Sequence, residues 1–166
     1  MSPVPRLLHR GLILAASAAV LLPAAAQARL VQPSDCVPAN LSQPFSDDQN
    51  SYQQVLGSTP MTDGSSVLTA TACVNLTHPV VRLVLSGDQG ATVSVDAVLN
   101  AGEATVYVPV GSVPADVSGG VSPQMPINVV NLDALGGQNA LVTLRLSVHG
   151  GNAEIGSAWV DPWRWW

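Results

Sequence analysis

Past residue 28, no stretch of helical length repeats apolar side chains at i, i+3 and i+4. Short apolar runs recur instead at roughly ten-residue spacing, with Gly, Pro, Asn and Asp between them. That pattern predicts an all-β sandwich or barrel. Two runs alternate most cleanly. In 91–99, Val93, Val95, Ala97 and Leu99 face one way and Thr92, Ser94 and Asp96 the other. In 141–148, Val142, Leu144, Leu146 and Val148 face inward, against Leu141, Thr143, Arg145, Ser147 and then His149. Weaker runs lie at 104–110, 126–131, 155–160 and 67–74, the last with Val67, Thr69, Thr71 and Cys73 on one side. Gly87-Asp88-Gln89-Gly90 reads as a hairpin-like turn, 111–124 as a loop and Gly150-Gly151-Asn152 as a further turn. There is no internal repeat and no domain linker.

The run 80–85 is apolar on both faces, as expected of an inner strand: Val81, Leu83 and Leu85 alternate with Val80, Arg82 and Val84. Pro79 has no N–H and belongs at the strand entrance. Arg82 is the one charge, and its guanidinium must reach water or a carboxylate because an unpaired buried charge is too costly.

The first 28 residues have the layout of a secretory signal peptide. Arg6, His9 and Arg10 precede the small and apolar run 11–22, Pro23 breaks it, and Ala26-Gln27-Ala28 is an A-x-A cleavage site. The run is short for a membrane span. Pro33-Ser34-Asp35 before Cys36 is not a lipoprotein context, so soluble export to the extracellular space is expected. The expected organisation is a signal peptide at 1–28, an extended arm and turn-rich lead-in at 29–66, and a β-sandwich domain at 67–166 with the arm packed on it.

Export frames the two cysteines: Cys36 and Cys73 are expected to form one disulfide, worth roughly 4 kcal/mol in the chain-entropy model. After residue 28 there are four arginines, no lysine and eleven acids, a net charge of −7. Without a basic cluster, nucleic acid and anionic lipid are not expected as partners.

The segment Cys73-Val74-Asn75-Leu76-Thr77-His78-Pro79-Val80-Val81-Arg82, an early Cys36 followed by Pro44-Phe45, and the ending Trp159-Val160-Asp161-Pro162 together resemble a family of small uncharacterised secreted proteins of high-GC Gram-positive bacteria. The resemblance covers most of 36–163. It implies a jelly-roll sandwich similar to carbohydrate-binding modules and galactose-binding-like domains, and brings no established activity. The chain departs from the pattern in two places. Gly57 to Val67 lacks the family's Glu and Trp, and Gly156-Ser157 stands where paired acids can help hold calcium.

Catalytic chemistry has few footholds. His78 and His149 are the only histidines after residue 28, and no Gly-x-Ser-x-Gly elbow is present. Glu103 and Glu154 sit beside turns, where solvated acids are commoner than glycosidase pairs. Asp47, Asp48 and Asp63 carry oxygen ligands for calcium but lack EF-hand spacing. There is no Walker loop or dinucleotide fingerprint, so neither cofactor nor metal is expected.

All four tryptophans fall at the C-terminus, as Trp159, Trp163, Trp165 and Trp166. Trp159 is expected in the sandwich core. Trp163, Trp165 and Trp166, with Arg164 stacked between them, are candidate ligand contacts or a tail that folds back or frays. The sequence thus predicts a single jelly-roll-like antiparallel β-sandwich serving as an exported, non-catalytic binding or interaction module for glycan or cell envelope. A structural or self-associating extracellular protein is the alternative, and a hydrolase the weakest one.

Overall fold

The computed structural model describes residues 40–75, 79–101, 104–127 and 139–161. Among the described residues eleven strands run in chain order: β1 (Leu41–Ser42), β2 (Tyr52–Leu56), β3 (Thr59–Met61), β4 (Ser66–Leu68), β5 (Ala72–Asn75), β6 (Val80–Gly87), β7 (Thr92–Ala101), β8 (Ala104–Pro114), β9 (Met125–Pro126), β10 (Asn139–His149) and β11 (Ala153–Asp161). One sheet has the order β1-β2-β11-β6-β9, with β3 also on β11. The other has the order β4-β10-β7-β8, with β5 also on β10. Every strand pairing between them is antiparallel.

Two of these strands are interrupted. β2 and β3 line successive parts of β11, broken at Gly57-Ser58. β4 and β5 line successive parts of β10, broken at 69–71. With each broken strand counted once, and β1 set aside as an added edge, the sheets run first-eighth-third-sixth and second-seventh-fourth-fifth. This is the double Greek key of a jelly roll. Among the described residues only β7 to β8 is then a hairpin, paired from Thr92↔Pro114 to Ala101↔Ala104 with one register shift. The turn at Gly87–Gly90 is therefore not a hairpin: it carries the chain from one sheet to the other, as does Gly150-Gly151-Asn152. The lead-in is itself part of the sandwich, since β1, β2 and β3 extend the first sheet.

The core lies between the sheets. It takes Val81, Leu83 and Leu85 from β6, Val93, Val95 and Ala97 from β7, Val142, Leu144, Leu146 and Val148 from β10, and Ala153, Ile155, Ala158 and Val160 from β11. The inward positions read at Val93, Val95 and Ala97 in β7 and at Val142, Leu144, Leu146 and Val148 in β10 are those found; the side chain of Leu99 lies outside what is described. The reading of 67–74 is corrected: Ala72 and Val74 point into the core, because the break at 69–71 resets the inward parity. The stretch 111–124 is also less of a loop than expected. β8 continues to Pro114 across a register shift between Val95 and Asp96 on its partner, and a short 3-10 segment follows at Ser118–Gly120.

At the break, Thr69 replaces part of the ladder with its side chain. Its N–H donates to the Leu144 carbonyl at 2.9 Å, and its Oγ1 accepts from the Leu144 N–H at 3.0 Å. Ala70 N–H then donates to Val55 O across the corner to β2 at 2.9 Å. Thr69→Val preserves shape but strands a buried N–H, so it should lose about 1–3 kcal/mol in denaturant unfolding. An unchanged midpoint would show that water replaces the hydroxyl.

Candidate functional site

The outer face of the first sheet presents Val80, Arg82 and Val84 from β6 and Trp159 from β11, and the segment before β2 covers part of it. Phe45 is buried there, edge-on to Tyr52 with centroids 5.0 Å apart and to Trp159 at 6.2 Å. Arg82, only 4% exposed, finds the carboxylates it requires. Nη1 and Nη2 hold Asp47 in a fork at 2.7 and 2.9 Å, Nη1 also reaches Asp48 Oδ2 at 2.7 Å, and Nε donates to Ser122 O at 3.2 Å. The guanidinium lies 4.1 Å from the Phe45 ring centroid. Asp48 Oδ2 also accepts from Tyr52 Oη at 3.0 Å and from Gln124 Nε2 at 3.3 Å. One buried cation thus ties β6, the lead-in and the 121–126 edge together.

The ionisations follow from this packing. Burial alone would pull the Arg82 pKa down, but Asp47 and Asp48 outweigh it and the net shift is upward. The hydrogen bond from Arg82 holds the Asp47 carboxyl below its ordinary range. Burial pushes the Tyr52 phenol from 10.0 up to about 12, with the Asp48 carboxylate adding to the rise. Asp47 therefore contributes stability above the ordinary carboxyl pKa that is lost as pH falls through its depressed value. Tyr52 contributes stability that is full below 10.0 and lost as pH rises through about 12. Unfolding midpoints should accordingly fall at both extremes, and Tyr52→Phe should flatten the alkaline limb.

Trp159 is not in the core. β11 carries one extra residue, Gly156, against β6 between Ile155 and Ser157, so Ala158 and Val160 face inward and the indole turns outward. Its Nε1 donates to Ser157 Oγ at 2.7 Å. Beside it opens a groove of about 400 Å³ lined by Asn40, Ser42, Gln53, Gln54, Leu56 and Trp159, among others. Asn40 holds a left-handed backbone there (φ 57°). Gln54 Nε2 donates to Leu56 O at 3.2 Å, while Gln53 Oε1 is buried without a hydrogen-bond partner. Sequence reasoning missed this site. The small pair Gly156-Ser157 within a strand was the signal for the bulge.

Cys73 is buried in β5, and no cysteine among the described residues is free. Cys36, His78, Glu103, Trp163, Arg164, Trp165 and Trp166 lie outside the described residues. His149 is exposed at the end of β10. Glu154 is exposed and accepts from Ser58 Oγ at 2.9 Å. The three aspartates read as possible calcium ligands are not brought together. Asp47 and Asp48 clasp Arg82, whereas Asp63 Oδ1 accepts from Gly150 N–H at 2.8 Å, at the β10–β11 turn. Among the described residues no group of three or more His, Cys, Asp and Glu side chains could hold a metal ion, and no helix is long and apolar enough to cross a membrane.

No family model matches the chain, and no curated protein matches it. Among solved structures it is similar to a chain from the structure of the infectious bursal disease virus Gt strain, with 15% identity and a TM-score of 0.40. That match covers 77% of this chain and 38% of the viral one.

Proposed function

We propose that the chain is an exported, non-catalytic binding module that contacts glycan or cell-envelope surface through the outer face of its first sheet. The observation that carries this reading is the groove at Trp159, where an indole held by Phe45 and Ser157 lies among carboxamide side chains. Pre-formed clefts with an aromatic wall and a few placed polar groups are the usual form of small-ligand sites. The family resemblance points the same way. His149, on open surface instead of in a cleft with a carboxylate, lends no support to a hydrolase.

A Cys36–Cys73 disulfide belongs to this reading. Cys73 is not free, and Cys36 is the chain's only other cysteine. The bridge would fix the start of the lead-in against β5. Mass spectrometry of the unreduced, alkylated protein tests it directly.

For the module itself, the test is retention of the purified protein on cell-wall and glycan arrays. Trp159→Ala should weaken retention roughly tenfold or more, from the loss of the stacking surface. The alternative, a self-associating surface protein, draws on the open face of the second sheet, where Leu68, Tyr107 and Leu141 are exposed and Arg145 lies 5.0 Å from the Tyr107 ring centroid. Concentration-dependent oligomerisation without glycan retention would favour it.

A further inference from the structure

We infer that the Trp159 groove is a subsite for one uncharged, hydroxyl-bearing sugar ring, with Gln53 as the residue that selects it; this rests on the binding-module reading above. The lining contains no Asp, Glu, His, Lys or Arg. On the same face Arg82, Asp47 and Asp48 are spent on one another. An anionic ligand would enter without a cation to receive it, at the cost of an unpaired charge. A neutral polyol loses nothing in that way.

The groups present suit hydroxyls. Asn40, Gln53 and Gln54 each carry a donor and an acceptor, and so does a sugar hydroxyl. The indole N–H is already given to Ser157, so Trp159 offers its ring and not its donor. A ring that stacks without donating matches the apolar C–H face of a pyranose.

Gln53 supplies the selective element. Its Oε1 is closed to water and has no donor, an unfavourable arrangement for a buried acceptor. The terminal torsion of a glutamine is broad and roughly two-fold. A small turn about that torsion lets a ligand hydroxyl in the groove donate to Oε1 and supply the donor it lacks. Ligand binding therefore relieves a defect of the empty site. The space, about 400 Å³, lies at the small end of ligand clefts, which limits the subsite to a ring or two.

The test is calorimetric titration of the purified protein with cellotetraose, mannotetraose and chitotetraose as neutral probes and tetragalacturonic acid as the anionic one. An envelope pull-down is run alongside. At least one neutral probe should bind, with Kd changing less than about twofold between low and high salt. Gln53→Met and Gln54→Ala should weaken it several-fold and Trp159→Ala roughly tenfold or more. Gln54 is exposed, so its variant keeps the fold if Trp159→Ala does not. Preference for the anionic probe, or strong salt dependence, overturns the inference. So does neutral binding that survives all three substitutions, which leaves the module reading standing. No neutral binding with a positive pull-down also overturns the inference alone. A negative pull-down with no probe bound overturns both.

Discussion

Arg82→Ala is expected to lose about 3–5 kcal/mol of stability, because it leaves Asp48 largely buried and stripped of its cation. For a chain of this size that is roughly 10 °C in the thermal midpoint. The loss should also be local in character. Phe45 sits under the guanidinium, so protease sensitivity should rise first in 43–50 while the core strands stay protected. The double variant Arg82→Met/Asp48→Asn should recover part of the loss, since no unpaired charge remains and an apolar side chain fills the space. A single Arg82→Ala variant that melts like the parent, with 43–50 still protected, would show that the lead-in is held by its aromatic contacts alone.

Gly87→Ala is expected to lose about 1–3 kcal/mol although it adds a single methyl group to a strand end. A Cβ at Gly87 would lie 2.6 Å from Ala115 Cβ and 2.7 Å from the Asn152 carbonyl oxygen. Neither neighbour yields easily. Asn152 O already accepts from Asp88 N–H at 2.9 Å, and Ala115 N–H is bound to Ala91 O at 2.8 Å. The substitution must therefore push apart a pair of inter-sheet crossings at the same end of the sandwich. Gly57→Ala is the matched control, because a Cβ there meets nothing within 4 Å. Equal melting of both variants would refute the close approach.

The particular elements show how far sequence reaches into this fold. β7 and β10 were legible because each has one apolar face in the core and one mostly polar, half-buried face, so polar and apolar side chains alternate along them. The sheet to which a strand belongs was not legible. A turn such as Gly87–Gly90 has the same Gly and Asp chemistry whether it closes a hairpin or bridges two sheets. Arg82 was legible as a charge needing water or a carboxylate. Its main partner lies 35 residues upstream, a separation that no local pattern records. Trp159 was misplaced for a simpler reason: period-2 counting carries through a strand only until a bulge, and the extra residue at Gly156 in β11 turns the indole out.

The position of the last two strands bears on how the chain can fold. β10 lies between β4/β5 and β7, and β11 lies between β2/β3 and β6, so each sheet receives a central member from 139–161. Until those residues are available, the earlier strands β2 to β5 have edges with nothing to pair against. Apart from the short β1–β2 pair, the β7–β8 hairpin is the only pairing among the described strands that forms from neighbouring sequence. A topology of this kind folds slowly, since distant segments must meet before contacts repay the loss of chain freedom. It also means that a chain cut before 139 would lose a central strand from both sheets at once.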